Sequence, residues 1–344
     1  MSILLKYSVV VPVFNRPDET RELLESLAEQ TSGNFEVVIV EDGSTLSSEE
    51  VVRQFAGRLD IRYYYKNNSG PGDSRNYGMR MATGNYFLIL DSDCILPPTY
   101  MAGVDSALQA DYADCFGGMD TALDSFTDVQ KAINFAMTSV LTTGGVRGGS
   151  EKLGKFQPRS FNMGLSEKAF RASGGFGRIH PGEDPDLAIR LWKLGFETRL
   201  FKNVSVYHKR RIDWGRFYTQ VNKFGKVRPI LDHWHPEYAK ITYFFPSAFL
   251  VGAVLAIVAL LMGRPGLLML YVFYFAVCFL VSSVQNKSVK IGIMSLRAVI
   301  TQFVGYGSGF LKSFWQVRIR GKEPESAFPR LFFSQSSASD ASVS

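Results

Sequence analysis

Asn85-Tyr86-Phe87-Leu88-Ile89-Leu90-Asp91-Ser92-Asp93 is the stretch on which the reading of this chain turns. Residues 86–90 form a short apolar run just after Thr83-Gly84, so they read as a buried strand. The run ends in two carboxylates, Asp91 and Asp93. Carboxylates at i and i+2 point the same way while the backbone stays extended. Such a pair is a seat for a hard cation, Mg²⁺ or Mn²⁺. The alternative is that both acids cap the turn or helix that follows.

Working outward, the preceding chain alternates strand and helix. Residues 7–13 are a β-branched apolar run closed by the turn-like Asn15-Arg16-Pro17. Asp18 can cap a helix carrying Leu23, Leu24 and Leu27 on one face. Residues 35–40 read as a second strand ending in Glu41-Asp42-Gly43-Ser44, then a helix over 48–56 and a third strand over 61–65. The loop Asn67-Asn68-Ser69-Gly70-Pro71-Gly72-Asp73 leads into a helix over 74–82. This alternation predicts a Rossmann-like α/β domain with a mostly parallel sheet. Ligands of such sheets bind beyond the carboxyl ends of the strands. Residues 12–16, Glu41-Asp42 and Asp91-Asp93 all fall there. No Gly-x-Gly-x-x-Gly follows the first strand and no P-loop motif is present, which argues against both nucleotide-binding classes.

Further on, 116–154 is less regular, and 142–155 is rich in Gly and Ser, as a lid or a linker would be. A second acidic cluster, Gly182-Glu183-Asp184-Pro185-Asp186, opens a helix over 187–194. Residues 204–207 read as a strand before His208. Three isolated cysteines, Cys94, Cys115 and Cys278, show no metal-binding spacing and suit a reducing compartment. The first seven residues do not resemble a signal peptide. Net charge is +6. Residues 202–240 hold nine Lys or Arg against three Asp or Glu, a balance suited to an anionic membrane face.

Two uncharged runs, 244–262 and 266–284, are each long enough to cross a bilayer. Only Gly263-Arg264-Pro265 separates them, so they read as a hairpin. Lys240, Lys287 and Lys290 flank it and place both flanks in the cytoplasm. A third segment, 291–315, carries Arg297 and Lys312 and reads as interfacial, or alternatively as a further span. The expected organisation is a cytoplasmic catalytic domain over 1–240, a membrane region over 241–315, and a cytoplasmic tail over 316–344, disordered from Ser334. The expected location is the inner (plasma) membrane, multi-pass.

Sugar transfer from a nucleotide donor needs a held nucleotide, a neutralised diphosphate and a base for the acceptor hydroxyl. The two acidic clusters can supply the last two. Val9-Val10-Val11-Pro12-Val13-Phe14-Asn15, Glu41-Asp42-Gly43-Ser44, Gly70-Pro71-Gly72 with Ser74-Arg75-Asn76 and Gly78, Asp91-Ser92-Asp93, and Gly182-Glu183-Asp184 with Asp186-Leu187 and Arg190 stand in family order. Together they resemble the inverting family 2 glycosyltransferases of GT-A fold, over about residues 7–208. The resemblance implies that Pro12, Phe14, Glu41 and Asp42 line the base and ribose, and that Arg75 approaches the nucleotide. It implies that Asp91 touches the donor or the metal, that Asp93 of the DxD motif binds the metal, and that His208 stands near the metal or diphosphate. Asp184 would be the catalytic base and Glu183 an acceptor contact.

The implied partners are a nucleotide-diphosphate sugar, a lipid-linked or polysaccharide acceptor and the membrane, without nucleic acid. The run after Asp93 departs from relatives with polyprenyl-phosphate acceptors, and Gln220-Val221-Asn222-Lys223-Phe224 departs from the Gln-x-x-Arg-Trp of processive synthases. That favours single addition to a membrane-borne acceptor in polysaccharide biosynthesis. Two other classes stay open: a non-catalytic nucleotide-sugar binding or assembly protein, and a nucleotidyltransferase.

Overall fold

The computed structural model describes residues 4–121, 127–143, 155–208, 213–333 and 342–343, with only the backbone at 120, 121, 208, 342 and 343. Most of the stretch 142–155, and the tail beyond 333 apart from 342–343, lie outside the described residues. The chain divides into two compact units. The first holds residues 1–123, 154–209 and 330–344, and the second holds 124–153 and 210–329.

The first unit is built on one sheet. Its strands are β1 (Tyr7–Val13), β2 (Phe35–Asp42), β3 (Asp60–Lys66), β4 (Tyr86–Leu90), β5 (Cys94–Ile95), β6 (Cys115–Thr121), β7 (Asn162–Ser166), β8 (Thr198–His208) and β9 (Ser342–Val343). They lie in the order β5-β8-β6-β7-β4-β1-β2-β3-β9. Pairing is parallel through β3, β2, β1 and β4, and between β6 and β8. Strand β7 runs antiparallel to both its neighbours, so the sheet is mixed.

Period-2 burial explains why the central strands read as continuous apolar runs. Val9, Val11 and Val13 enter one core while Val10 enters the other. Val37 and Ile39 against Val38 and Val40, and Leu88 and Leu90 against Phe87 and Ile89, divide the same way. Both faces are covered, as parallel strands require, and each such side chain contributes about 1.5–3 kcal/mol by leaving water.

The helices of this unit are α1 (Pro17–Ala28), α2 (Glu49–Arg53), α3 (Pro71–Met81), α4 (Tyr100–Ala110), α7 (Glu167–Ser173) and α8 (Glu183–Lys193). Helix α2 is shorter than its sequence pattern predicts, because 54–59 turns back through successive tight turns into β3. The strand expected over 204–207 is the end of the longer β8, which begins at Thr198 and pairs with β6 across a bulge.

The second unit is helical: α5 (Asp128–Thr138), α6 (Val140–Thr143), α9 (Trp214–Trp234), α10 (Phe245–Leu261), α11 (Gly266–Gln285) and α12 (Val289–Ser313). Its core joins Ile133, Phe135, Phe217, Val221, Ala298, Val299 and Phe303. Helix α9 was hidden in the sequence by its charge and by Pro229, which sits inside the helix. Its start is nonetheless specified, since the Asp213 carboxylate accepts from the Arg216 amide at 2.7 Å.

Helix α12 is continuous and packs on α5, α9, α10 and α11. Its charged positions lie away from Ile291, Ala298, Val299 and Phe310, which are buried. Residues 241–261 and 266–285 form the two helices among the described residues that are long and apolar enough to cross a membrane, and only 11% of the apolar stretch of each is buried. A core helix of a water-soluble protein would bury its apolar surface; these leave it exposed.

Candidate active site

The carboxyl ends of β1, β2, β3 and β4 gather the polar residues of the first unit. Strand β4 stops at Leu90, and the Cys94 amide donates back to the Asp91 carbonyl at 3.1 Å. The backbone therefore turns here, and the extended geometry that would align Asp91 and Asp93 is not kept. Asp91 accepts from Arg75 Nη2 at 2.6 Å, and Asp93 accepts from Arg16 Nη1 at 2.8 Å. Asp91 keeps about a third of its side chain exposed, at 32%, whereas Asp93 keeps 12%.

Arg75, on α3, is the hub. It is 3% exposed. Its other terminal nitrogen donates to Glu183 Oε1 at 3.1 Å, and its guanidinium lies over the Phe176 ring at 5.3 Å. The neighbouring Asn76 fixes that ring: its side-chain amide donates to the Phe176 carbonyl and accepts from the Phe176 amide, both at 2.8 Å. Asp91 and Glu183, far apart in sequence, are thus joined through one buried cation.

Gly182 precedes α8 with φ of 119°, a conformation that favours glycine. Three acids, Glu183, Asp184 and Asp186, fill the first turn of α8, where the helix dipole favours negative charge. Their fates differ. Asp186 is bound by Arg190 at 2.9 Å, and Arg190 also ties the carbonyls of Ser173 and Gly175, so this acid is structural.

Glu183 is buried and meets His180 Nδ1 at 2.9 Å. Burial opposes its charge, but His180 and then Arg75 outweigh burial and hold its carboxyl below the usual range. Asp184 is half-buried and accepts from the Ser160 amide at 3.3 Å. Enclosure and then the Glu183 carboxylate push its carboxyl above the ordinary aspartate range, against the pull of Arg75 and Arg159.

Pro12 and Phe14 stand at the end of β1, and Phe14 is half exposed, at 50%, which leaves an aromatic face open. Asn15 adopts positive φ, and its side-chain carbonyl accepts from the amides of Thr45 and Leu46 at 2.8 and 2.9 Å. Glu41 and Asp42 are both turned into the protein. Glu41 accepts from the Ser48 amide at 2.8 Å and from the Ser44 hydroxyl. Asp42 pairs with buried Lys66 at 2.7 Å and accepts from the Ser69 and Gly70 amides at 2.9 Å. In the folded chain these two acids brace the loops that border the site. The His208 side chain lies outside the described residues.

Among the described residues no group of three or more His, Cys, Asp or Glu is gathered into a ready metal cage. The donor set still fits a hard divalent cation, which commonly takes one or two carboxylates and completes its shell with phosphate oxygens and water. Asp91 and Asp93 supply carboxylate oxygen. Arg75 stands among Asp91, Glu183 and Asp184. Residues the sequence did not single out are Arg16, Lys66, Phe176 and His180. Arg16 and His180 lay beside quoted motifs, but spacing alone did not tie them to an acid.

The model of glycosyl transferase family 2 matches residues 8–176. An uncharacterised glycosyltransferase of Rickettsia bellii is 41% identical over 88 residues, 26% of this chain and 13% of that protein. The chain spans 13–31% of the length of the curated relatives it matches. Among solved structures, the mannosyltransferase PcManGT of Pyrobaculum calidifontis, in complex with GDP-Man and Mn²⁺, superposes with a TM-score of 0.60 at 16% identity, covering 92% of this chain and 88% of that one. Staphylococcus aureus TarS 1–349, in complex with UDP-GlcNAc, superposes with a TM-score of 0.51 at 17% identity, covering 92% and 93%. These likenesses carry the fold. The family rests on the sequence: residues 8–176, which carry most of the ordered motifs, match glycosyl transferase family 2, so this part of the chain is similar to that family.

Proposed function

We propose that the protein is an inverting glycosyltransferase that moves a sugar from a nucleotide-diphosphate donor to a membrane-associated acceptor, a lipid-linked or surface-polysaccharide precursor. The observation that carries the reading is the buried Arg75 bridge between Asp91 and Glu183, which holds the two acidic clusters as one site.

Phe14 offers a stacking face for the base, and the loops braced by Glu41 and Asp42 border it. Asp91 and Asp93, with His208 as a further candidate, would hold Mg²⁺ or Mn²⁺, which when bound offsets the charge developing on the departing diphosphate. Arg75 places positive charge between donor and acceptor sides. Asp184 takes the proton of the acceptor hydroxyl, and its raised carboxyl suits a base working near neutral pH. Glu183, held ionised, borders the acceptor. The metal in PcManGT and the polyribitol-phosphate acceptor in the name of TarS are compatible with this reading.

The test is release of nucleoside diphosphate from a panel of nucleotide sugars, with Mn²⁺ and lipid extract. Pyrophosphate release would point instead to nucleotidyl transfer, and no release to a binding protein.

The membrane part of the proposal rests on the exposed helices α10 and α11 and on charge. Residues 214–322 hold thirteen Lys or Arg against two Asp or Glu. Lys226 is pushed down by partial burial and then by Lys312 and Lys223, a crowding of cations that an anionic surface relieves. We place a cytoplasmic catalytic domain over 1–240 and a membrane region over 241–315, with 291–315 at the interface.

The three native cysteines are buried, so single introduced cysteines can be read cleanly. In intact spheroplasts, Arg264→Cys is expected to react with an impermeant maleimide, and Lys240→Cys and Lys287→Cys only after permeabilisation. Equal labelling of all three before permeabilisation would remove the hairpin.

A further inference from the structure

Residues 330–333 belong to the first unit although they follow the helical region in sequence. They lie along Arg178, Ile179 and His180, just before the acidic cluster. The His180 amide donates to the Leu331 carbonyl at 2.7 Å, and the Phe333 amide donates to the Arg178 carbonyl at 3.1 Å. Ile179 and Phe332 form an antiparallel bridge between these bonds. Arg178 Nε closes the set on the Phe333 carbonyl at 2.8 Å.

The Phe333 ring covers Gly70. A Cβ on Gly70 would lie 2.4 Å from the Phe333 ring, and Gly70 has φ of 91°, so glycine is required there twice over. The Phe333 and His180 ring centres are 6.1 Å apart.

His180 is the link to the site. A continuous line of contacts runs from His180 Nδ1 to Glu183 Oε1 at 2.9 Å, on to Arg75 at 3.1 Å, and from Arg75 to Asp91 at 2.6 Å. Glu183 Oε2 is buried without a hydrogen-bond partner. All of the hydrogen bonding that orients Glu183 therefore passes through Oε1, where His180 is one of two side-chain partners. Shifting His180 leaves a buried carboxylate held from one side.

We infer that Arg330–Phe333 is a positioning strap: it pairs with the Arg178–His180 segment, seats Phe333 on the Gly70 loop, and so fixes where His180 holds Glu183 beside the base. Neither Phe333 nor His180 touches the reacting atoms in this scheme; they act through Glu183. The kinetic consequence rests on the transfer reading above, while the structural consequence does not.

The experiment uses the full chain in detergent with Phe333→Ala, Phe333→Tyr and the exposed-site variant Arg178→Ala. Measured are the thermal midpoint, kcat and donor KM for nucleotide release, and amide exchange over 178–183. For Phe333→Ala and Arg178→Ala we expect faster exchange over 178–183 and kcat lower by about tenfold, since small misplacement beside reacting groups costs this much or more. Donor KM should stay within about twofold, because uniform donor binding is not what is lost. Phe333→Tyr should restore both exchange and kcat.

Unchanged exchange and unchanged kcat in both alanine variants would overturn the strap. So would a kcat loss that follows only a general fall in thermal midpoint. Absence of nucleotide release by the unmodified chain would count against the transfer reading alone, and the exchange comparison would then decide the strap.

Discussion

Asp184→Asn is expected to bind sugar nucleotide as the unmodified chain does and to transfer almost nothing. Asparagine has the same shape and keeps a carbonyl oxygen for the Ser160 amide, which Asp184 accepts at 3.3 Å. What it lacks is a site basic enough to take the acceptor's proton. General base catalysis contributes about 10²–10⁴-fold, so kcat should fall by that range. Donor binding, followed as a ligand-induced rise in thermal midpoint, should be retained. A kcat near that of the unmodified chain would remove Asp184 from the mechanism.

The pH profile checks the same assignment independently. The base works only when ionised, and enclosure together with Glu183 lifts its carboxyl above the ordinary aspartate range. Activity should therefore decline, as pH falls, earlier than for an unperturbed aspartate. Glu183→Gln removes the second of these causes and leaves the first. Its acidic limb should move to lower pH, whatever happens to the maximum rate. A limb that stays in place, or moves upward, would mean that Glu183 is not the charge Asp184 feels.

The fold was legible because its central strands are buried on both faces. Val9 to Val13, Val37 to Val40 and Phe87 to Leu90 need apolar residues at every position, and such runs stand out in a chain. Mixed pairing was less visible: β7 (Asn-Met-Gly-Leu-Ser) is short, and nothing in it states a direction. Helix α9 stayed hidden because its buried positions are diluted by lysines and interrupted by Pro229.

In the site, Glu41, Asp42, Asp91 and Asp93 were visible from residue type and strand-end position, and Glu183 and Asp184 as an acidic cluster opening a helix. Their partners were not. Arg16 reaches Asp93 because the chain turns after β1, and His180 reaches Glu183 because a turn precedes α8. Loop geometry of this kind has no periodicity to read. The same limit applies to Glu41 and Asp42. Sequence placed them at the right edge, but only their partners, Ser48, Lys66, Ser69 and Gly70, reveal that they face inward.

Arg75 should give the largest combined loss of stability and activity. It is buried, and two of its nitrogens hold two carboxylates that no neighbouring cation can reach in the same fork. Arg75→Met fills much of the volume but leaves Glu183 enclosed, with His180 as its remaining side-chain partner. Removing one member of a buried ion pair costs about 3–5 kcal/mol, because the other charge stays desolvated. Arg75→Lys keeps the charge but not the planar fork, so one ammonium must choose between Asp91 and Glu183. It is expected to recover part of the stability and little of the turnover. Arg75→Met combined with Glu183→Gln should be more stable than Arg75→Met alone, since the orphaned charge is gone. Chemical denaturation of the unmodified chain, Arg75→Met, Glu183→Gln and the double variant closes a double-mutant cycle, and a coupling near zero would mean that the bridge does not hold the site together. A strong coupling with turnover lost even in the stabilised double variant would separate the two duties of Arg75: it neutralises a buried acid for the fold, and it sets donor and acceptor sides in register for transfer.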